Sequence, residues 1–131
     1  MLGKFGNNGE LFFEIELVTV TGEKFLVETL LDTGFTTGWL AINSQDLEAL
    51  QWPLVAPDIE MKTAKGNETF DIHQGLIIID GEQMTIPVHV GQEVPEFLIG
   101  SQWLEIMELT VNKPEQILKL SKIVQMKNLS R

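Results

Sequence analysis

Short runs of period-two alternation, each closed by turn residues, constrain this chain more than any other feature. In Leu11-Phe12-Phe13-Glu14-Ile15-Glu16-Leu17-Val18-Thr19-Val20, Phe13, Ile15 and Leu17 point one way and Glu14 and Glu16 the other. That is the pattern of a half-buried strand. Thr21-Gly22-Glu23-Lys24 has turn chemistry, and Phe25 to Leu31 reads as the returning strand. Trp39 to Ile42 reads as another strand. Asn43 or Ser44 then caps a short helix from Gln45 to Leu50, which Trp52-Pro53 ends. Ile59 to Thr63 and Glu68 to His73 flank the turn Ala64-Lys65-Gly66-Asn67. Leu76 to Ile79 and Met84 to Val90 flank Asp80-Gly81-Glu82. Gly91 to Glu96 reads as a loop and Phe97 to Ile99 as a short buried strand. Ser101 is placed to cap a helix through about Ile106. Glu108 to Val111 and Gln116 to Leu120 form a last hairpin. These readings predict an all-β fold, a closed or folded-over sheet with one or two short helices.

The 131 residues are enough for one domain, 1–131, with the tail 122–131 left open between strand, helix and disorder. Cysteine is absent, so disulfides and thiolate metal sites are excluded. The formal charge of −10 argues against nucleic acid, because phosphate binding needs clustered Lys and Arg. Leu76-Ile77-Ile78-Ile79 is far too short to span a bilayer, so no membrane is expected. The first residues show no basic stretch leading into an apolar one, and the expected location is the cytoplasm.

The chemistry concentrates at Leu30-Leu31-Asp32-Thr33-Gly34. An Asp-(Thr or Ser)-Gly triplet arises by chance in roughly one chain of this length in twenty, and its plain reading is a turn. Its position raises its value. The apolar strand residues Phe25-Leu26-Val27 and Leu30-Leu31 press the acid against a core, where a carboxylate must be paired or hydrogen-bonded. A second apolar run, Phe97-Leu98-Ile99, also ends in a glycine, Gly100.

From about Phe13 to Leu120 the chain resembles the retropepsin-like aspartic proteases, and in particular their small single-lobed prokaryotic members. Leu30 to Gly34 resembles their catalytic loop, and Asp32-Thr33-Gly34-Phe35 followed closely by Gly38 is similar to the prokaryotic group. Phe35 departs from the Ala or Ser usual in the retroviral enzymes. Thr63-Ala64-Lys65-Gly66 resembles the hairpin tip that covers substrate. Phe97 to Leu104 resembles the apolar-apolar-Gly strand that passes beneath the catalytic loop into a short helix. The resemblance implies a single-lobed acid-protease barrel, a peptide or protein substrate, and no cofactor or metal. It implies Asp32 as catalytic acid and base with Thr33 and Gly34 as its support. Ala64, Lys65 and Gly66 are then the flap. Phe35, Leu76 and Ile86 are the expected apolar walls of the substrate site.

Hydrolysis by water needs one base to activate the water and one acid to protonate the leaving group. Two close carboxylates sharing one proton supply both. The chain has one suitable loop, so the second carboxylate is expected from Asp32 of another copy across a two-fold axis, making a homodimer. Retroviral members interleave their termini, and Met1 to Gly6 and Ile123 to Leu129 are the segments that could do so here.

Other candidates read more plainly. His73 and His89 are sixteen positions apart on strand-like segments, without metal-ligand spacing. They read as ordinary surface or core histidines. Trp39, Trp52 and Trp103 read as core or dimer contacts. The rival to the enzyme is the same fold used as a dimerisation or peptide-binding module without turnover. Phe35 beside the acid, and the absence of any tyrosine, keep that rival open.

Overall fold

The computed structural model describes residues 1–63 and 66–123. Strands dominate it. In chain order they are β1 (Lys4–Phe5), β2 (Leu11–Val18), β3 (Lys24–Asp32), β4 (Leu40–Asn43), β5 (Leu54–Thr63), β6 (Gly66–Ile79), β7 (Glu82–Gly91), β8 (Leu98–Gly100), β9 (Met107–Asn112) and β10 (Ile117–Lys122). Among the described residues one α-helix, α1 (Ser44–Leu50), follows β4, and a 3-10 helix (Ser101–Glu105) follows β8.

Eight strands form one sheet in the order β1-β2-β3-β8-β4-β7-β6-β5, and a further antiparallel pairing of β2 with β6 closes it into a barrel. The alternation in β2 decides which side is inside: Phe13, Ile15 and Leu17 are buried, and Glu14 is exposed. Their apolar side chains meet Leu40, Ile42, Ile77, Ile79, Val88, Ile99 and Trp103 in one core. Hydrophobic burial on this scale is the main stabilising term for a domain of this size. Two polar side chains that enter the core are satisfied by backbone. The Thr29 hydroxyl donates to the Phe13 carbonyl at 2.7 Å, and the Trp52 indole donates to the Val18 carbonyl at 2.7 Å.

Helix α1 is capped by Asn43, whose side chain accepts from the Gln45 amide at 3.0 Å. It ends at Gln51, which takes a left-handed conformation and returns its amide to the Leu47 carbonyl.

Four local expectations are corrected. β6 is one unbroken strand that serves both hairpins, pairing with β5 on one side and β7 on the other. Gly75 is therefore not a break. A Cβ there would stand 2.5 Å from Val88 Cγ2 and 3.0 Å from the Trp52 ring, so the glycine lets the indole lie on the strand. β5 begins at Leu54 rather than Ile59, crossing two register shifts near Asp58, which has φ +54°. Ser101 is not a helix cap: it is the first residue of the 3-10 helix, and its amide donates to the Phe35 carbonyl at 3.0 Å. Phe25 and Leu26 do not press on the core, Leu26 being 65% exposed; Leu31, at the far end of β3, is the buried residue.

The first residues pair within the chain. Leu2 bridges Lys119 of β10, the Gly3 amide donates to the Leu118 carbonyl at 2.9 Å, and the Leu120 amide donates to the Met1 carbonyl at 3.0 Å. The chain thus adds its own N-terminal segment to its β9–β10 hairpin. The other proposed terminal segment, from position 124 on, lies outside the described residues, as does most of the tail 122–131.

Candidate active site

The site is assembled by two parallel strands that end together. β3 and β8 pair in parallel, with Leu30 opposite Leu98, Leu31 opposite Ile99 and Asp32 opposite Gly100. β8 also pairs antiparallel with β4. Short apolar β8 is thereby clamped between the strand that delivers the acid and the strand that follows its loop.

Asp32 is the last residue of β3 and is half-buried, whereas Thr33 and Gly34 are exposed. A tight turn closes over the acid, with the Phe35 amide donating to the Asp32 carbonyl at 3.1 Å. The carboxylate is oriented from within the same turn: the Gly34 amide donates to Asp32 Oδ1 at 2.9 Å. A Cβ on residue 34 would lie 3.3 Å from that oxygen, tighter than an ordinary contact, so glycine keeps the amide close to the acid.

The returning chain packs on β8 without room for side chains. The Gly100 amide donates to the Trp39 carbonyl at 3.2 Å. A Cβ on Gly100 would run into the Gly38 carbonyl and stand 2.5 Å from the Phe35 carbonyl oxygen. Trp103 anchors the same stretch: its indole donates to the Trp39 carbonyl at 2.8 Å, and its ring meets that of Trp39 edge-on at 4.7 Å.

Above the acid lies a cleft of about 550 Å³. Asp32, Gly34, Phe35, Thr36 and Thr37 line it from the loop, and Ala41 and Leu98 from β4 and β8. Met61, Lys62, Glu68 and Phe70 line it from the β5–β6 hairpin, and Glu93, Val94 and Pro95 from the loop before β8. A second cavity of about 530 Å³ adjoins it and shares Glu68, Phe70 and Glu93. The cleft is therefore walled by apolar side chains and carries three carboxylates against the single ammonium of Lys62 among its lining residues. Among the described residues no group of acids and histidines is arranged to hold a metal ion.

The expected site residues divide into three groups. Asp32, Gly34 and Phe35 are together at the cleft, with Thr33 on the same turn. Gly66 sits across from Thr63 at the end of the β5–β6 hairpin, in a conformation with φ +108° that favours glycine, while Ala64 and Lys65 lie outside the described residues. Leu76 and Ile86 are not at the cleft. Leu76 pairs with Val18 and Thr85, and Ile86 is buried opposite Gly75, so both belong to the barrel wall away from the acid.

Phe70, Val94 and Pro95 are cleft residues that the sequence reading did not single out. Val94 and Pro95 immediately precede the β8 run, so its placement beside Asp32 carries them to the cleft. Phe70 shares a face with Glu68 by period-two spacing on β6. The two histidines are core residues. His73 Nδ1 is 2.8 Å from the Trp52 carbonyl, and His89 lies between the rings of Phe35 and Phe70. Burial pushes the His89 pKa below that of an ordinary imidazole.

This architecture is the single-lobed retropepsin-like fold. The chain is similar to a retropepsin-like aspartic protease from Rickettsia conorii, with a TM-score of 0.62 and 19% identity over 93% of this chain and 90% of that one. It is also similar to the EIAV protease solved in complex with an inhibitor, with a TM-score of 0.59 and 14% identity over 78% of this chain and 91% of that one. No family model matches the sequence. Among curated proteins, a putative transketolase C-terminal section from Methanocaldococcus jannaschii is 43% identical over 63 residues, which cover 41% of this chain. The match spans 20% of that protein's length.

Proposed function

We propose that the protein is an aspartic endopeptidase that works as a homodimer, with Asp32 of two copies forming one dyad. The observation that carries this reading is the state of Asp32: a half-buried carboxylate at the floor of a peptide-sized cleft, with one oxygen held by the Gly34 amide at 2.9 Å. The fold it shares with retropepsin-like proteases supports the reading by analogy. The two adjoining cavities share Glu68, Phe70 and Glu93 and lie along the β5–β6 hairpin, where an extended peptide is proposed to bind.

In this mechanism the paired carboxylates share one proton because both cannot ionise at contact distance. The ionised one takes a proton from a bound water as the water oxygen bonds to the scissile carbonyl carbon. The other gives its proton to the carbonyl oxygen, so a gem-diol forms and the two carboxyls exchange protonation states. As the C–N bond breaks, the first carboxyl returns the water's proton to the amide nitrogen and the second takes a proton from one gem-diol hydroxyl, leaving a carboxylic acid, an amine and the dyad as it began. Thr33 supports the opposite loop, and Gly34 holds the carboxylate in register. The cell compartment expected for such an enzyme is the cytoplasm.

A broad peptide pool incubated between mildly acid and neutral pH, with parent and Asp32→Asn protein at several concentrations, tests this. Cleavage that needs Asp32 and rises faster than linearly with protein is the expected result. A folded dimer that binds peptides without cleaving any assigns the fold to a binding module instead.

A further inference from the structure

Three aromatic rings stand in a row between the catalytic loop and the flap. Phe35 follows the Asp32-Thr33-Gly34 turn, His89 lies on β7, and Phe70 lies on β6. Phe35 and His89 meet edge-on, with centroids 5.0 Å apart and planes at 89°. His89 and Phe70 meet at 5.8 Å and 75°. The two outer rings both line the cleft, and the middle one is 8% exposed.

Glycines press on the outer rings. A Cβ on Gly38 would collide with the Phe35 ring, and one on Gly91 would stand 2.7 Å from two carbons of the Phe70 ring. Each phenyl group is thus fixed by backbone on one side and by the imidazole on another. His89 itself sits in register between Ala41 of β4 and Ile72 of β6.

The choice of histidine here is costly. Its Nδ1 is buried and is the one side-chain polar atom among the described residues found buried without a hydrogen-bond partner. Simple space-filling is better served by an apolar side chain of the same size, since an unpaired polar atom destabilises a core. Imidazole differs from the aliphatic residues in being planar, and from phenylalanine in being small enough to stand between two phenyl rings. Edge-to-face geometry of this kind depends on such planarity.

We propose that His89 is a positioning residue that sets the separation of Phe35 and Phe70, so that the cleft those rings wall selects peptides by the size of one large apolar side chain. The inference rests on the cleft being the peptide site described above. His89 touches no reacting atom and acts through the two phenyl groups.

The test uses three peptides identical except for one residue next to the scissile bond, Ala, Leu or Phe. Each is measured for kcat/KM with parent and His89→Leu protein, beside the thermal midpoint at neutral pH. The expected result is a midpoint equal to or above that of the parent, because the unpaired Nδ1 is gone. The preference for the Phe peptide over the Ala peptide falls by about tenfold, the scale on which apolar pockets discriminate. A merely structural role moves the midpoint and leaves the preference intact, and that outcome overturns the proposal. If His89→Leu fails to fold, Phe70→Leu replaces it, with the same loss of preference expected. The same peptides are also measured for binding to Asp32→Asn protein with and without the His89 change. Binding that discriminates by size in the absence of parental cleavage defeats the protease reading and retains this one. A parent that neither cleaves nor binds any of the three overturns both.

Discussion

Asp32 stands opposite Gly100 in the parallel β3–β8 pair, and the glycine is what lets the acid's own loop close down on the neighbouring strand. The loop residues Phe35 and Trp39 both hydrogen-bond to the end of β8, through the Ser101 and Gly100 amides. The acid is therefore set by a strand sixty-odd residues away as much as by the turn it belongs to.

Gly100→Ala follows directly from this contact. The added methyl meets backbone carbonyl oxygens of Gly38 and Phe35, which have no rotamer by which to move aside. The expected cost is on the order of 2–4 kcal/mol, in the range of overpacked and backbone-strained sites. Urea unfolding measures it, and a midpoint unchanged from the parent contradicts the packing described here.

Trp103→Phe tests the anchor of the same loop. The substitution removes the indole donor to the Trp39 carbonyl and leaves a gap in a fully buried position. The Trp39 carbonyl keeps its bond from the Gly100 amide, so the loss is partial. A destabilisation of about 2 kcal/mol is expected in chemical denaturation, combining the lost hydrogen bond with the cavity. Cleavage is expected to fall as the loop loosens.

His89 makes stability depend on pH in a definite direction. Burial lowers its pKa in the folded state from the ordinary value of 6.5. Just below that value the unfolded chain binds a proton that the folded chain refuses, so stability rises with pH there. The contribution is fully present above 6.5 and is lost as pH falls from there toward the lowered folded-state pKa. Thermal midpoints taken from neutral to mildly acid pH are expected to fall, and to fall less steeply in His89→Leu. An equal slope in the two proteins contradicts a neutral buried imidazole.

Much of the architecture is legible in the sequence, because a strand with one buried face writes its period into the chain. Phe13, Ile15 and Leu17 announce β2, and Asn43 announces the start of α1 through its capping side chain. The Asp32 loop and the apolar run to Gly100 are also legible, each as a hydrophobic strand ending at glycine. What stays hidden depends on contacts between distant segments. Leu76 and Ile86 are apolar and alternate correctly, but only the closed barrel shows that they face its wall rather than the cleft. Gly75 has the look of a break until Trp52, brought across from the end of α1, is seen lying against it. His89 carries no local signal at all, since its proposed role arises from Phe35 and Phe70, which the loop after β3 and strand β6 deliver. The use of Met1 to Gly3 as a partner for β10 likewise depends on a pairing between the ends of the described chain.

Mixing tests most directly the claim that two copies of Asp32 make one site. Parent protein is held at fixed concentration and titrated with Asp32→Asn chains under conditions where subunits exchange, while cleavage of one peptide is followed. If each active site needs an aspartate from both copies, mixed dimers lack a shared-proton dyad, and activity falls in proportion to the fraction of parent–parent pairs that remain. Activity that stays constant as the Asp32→Asn chain is added, with exchange verified, contradicts the account.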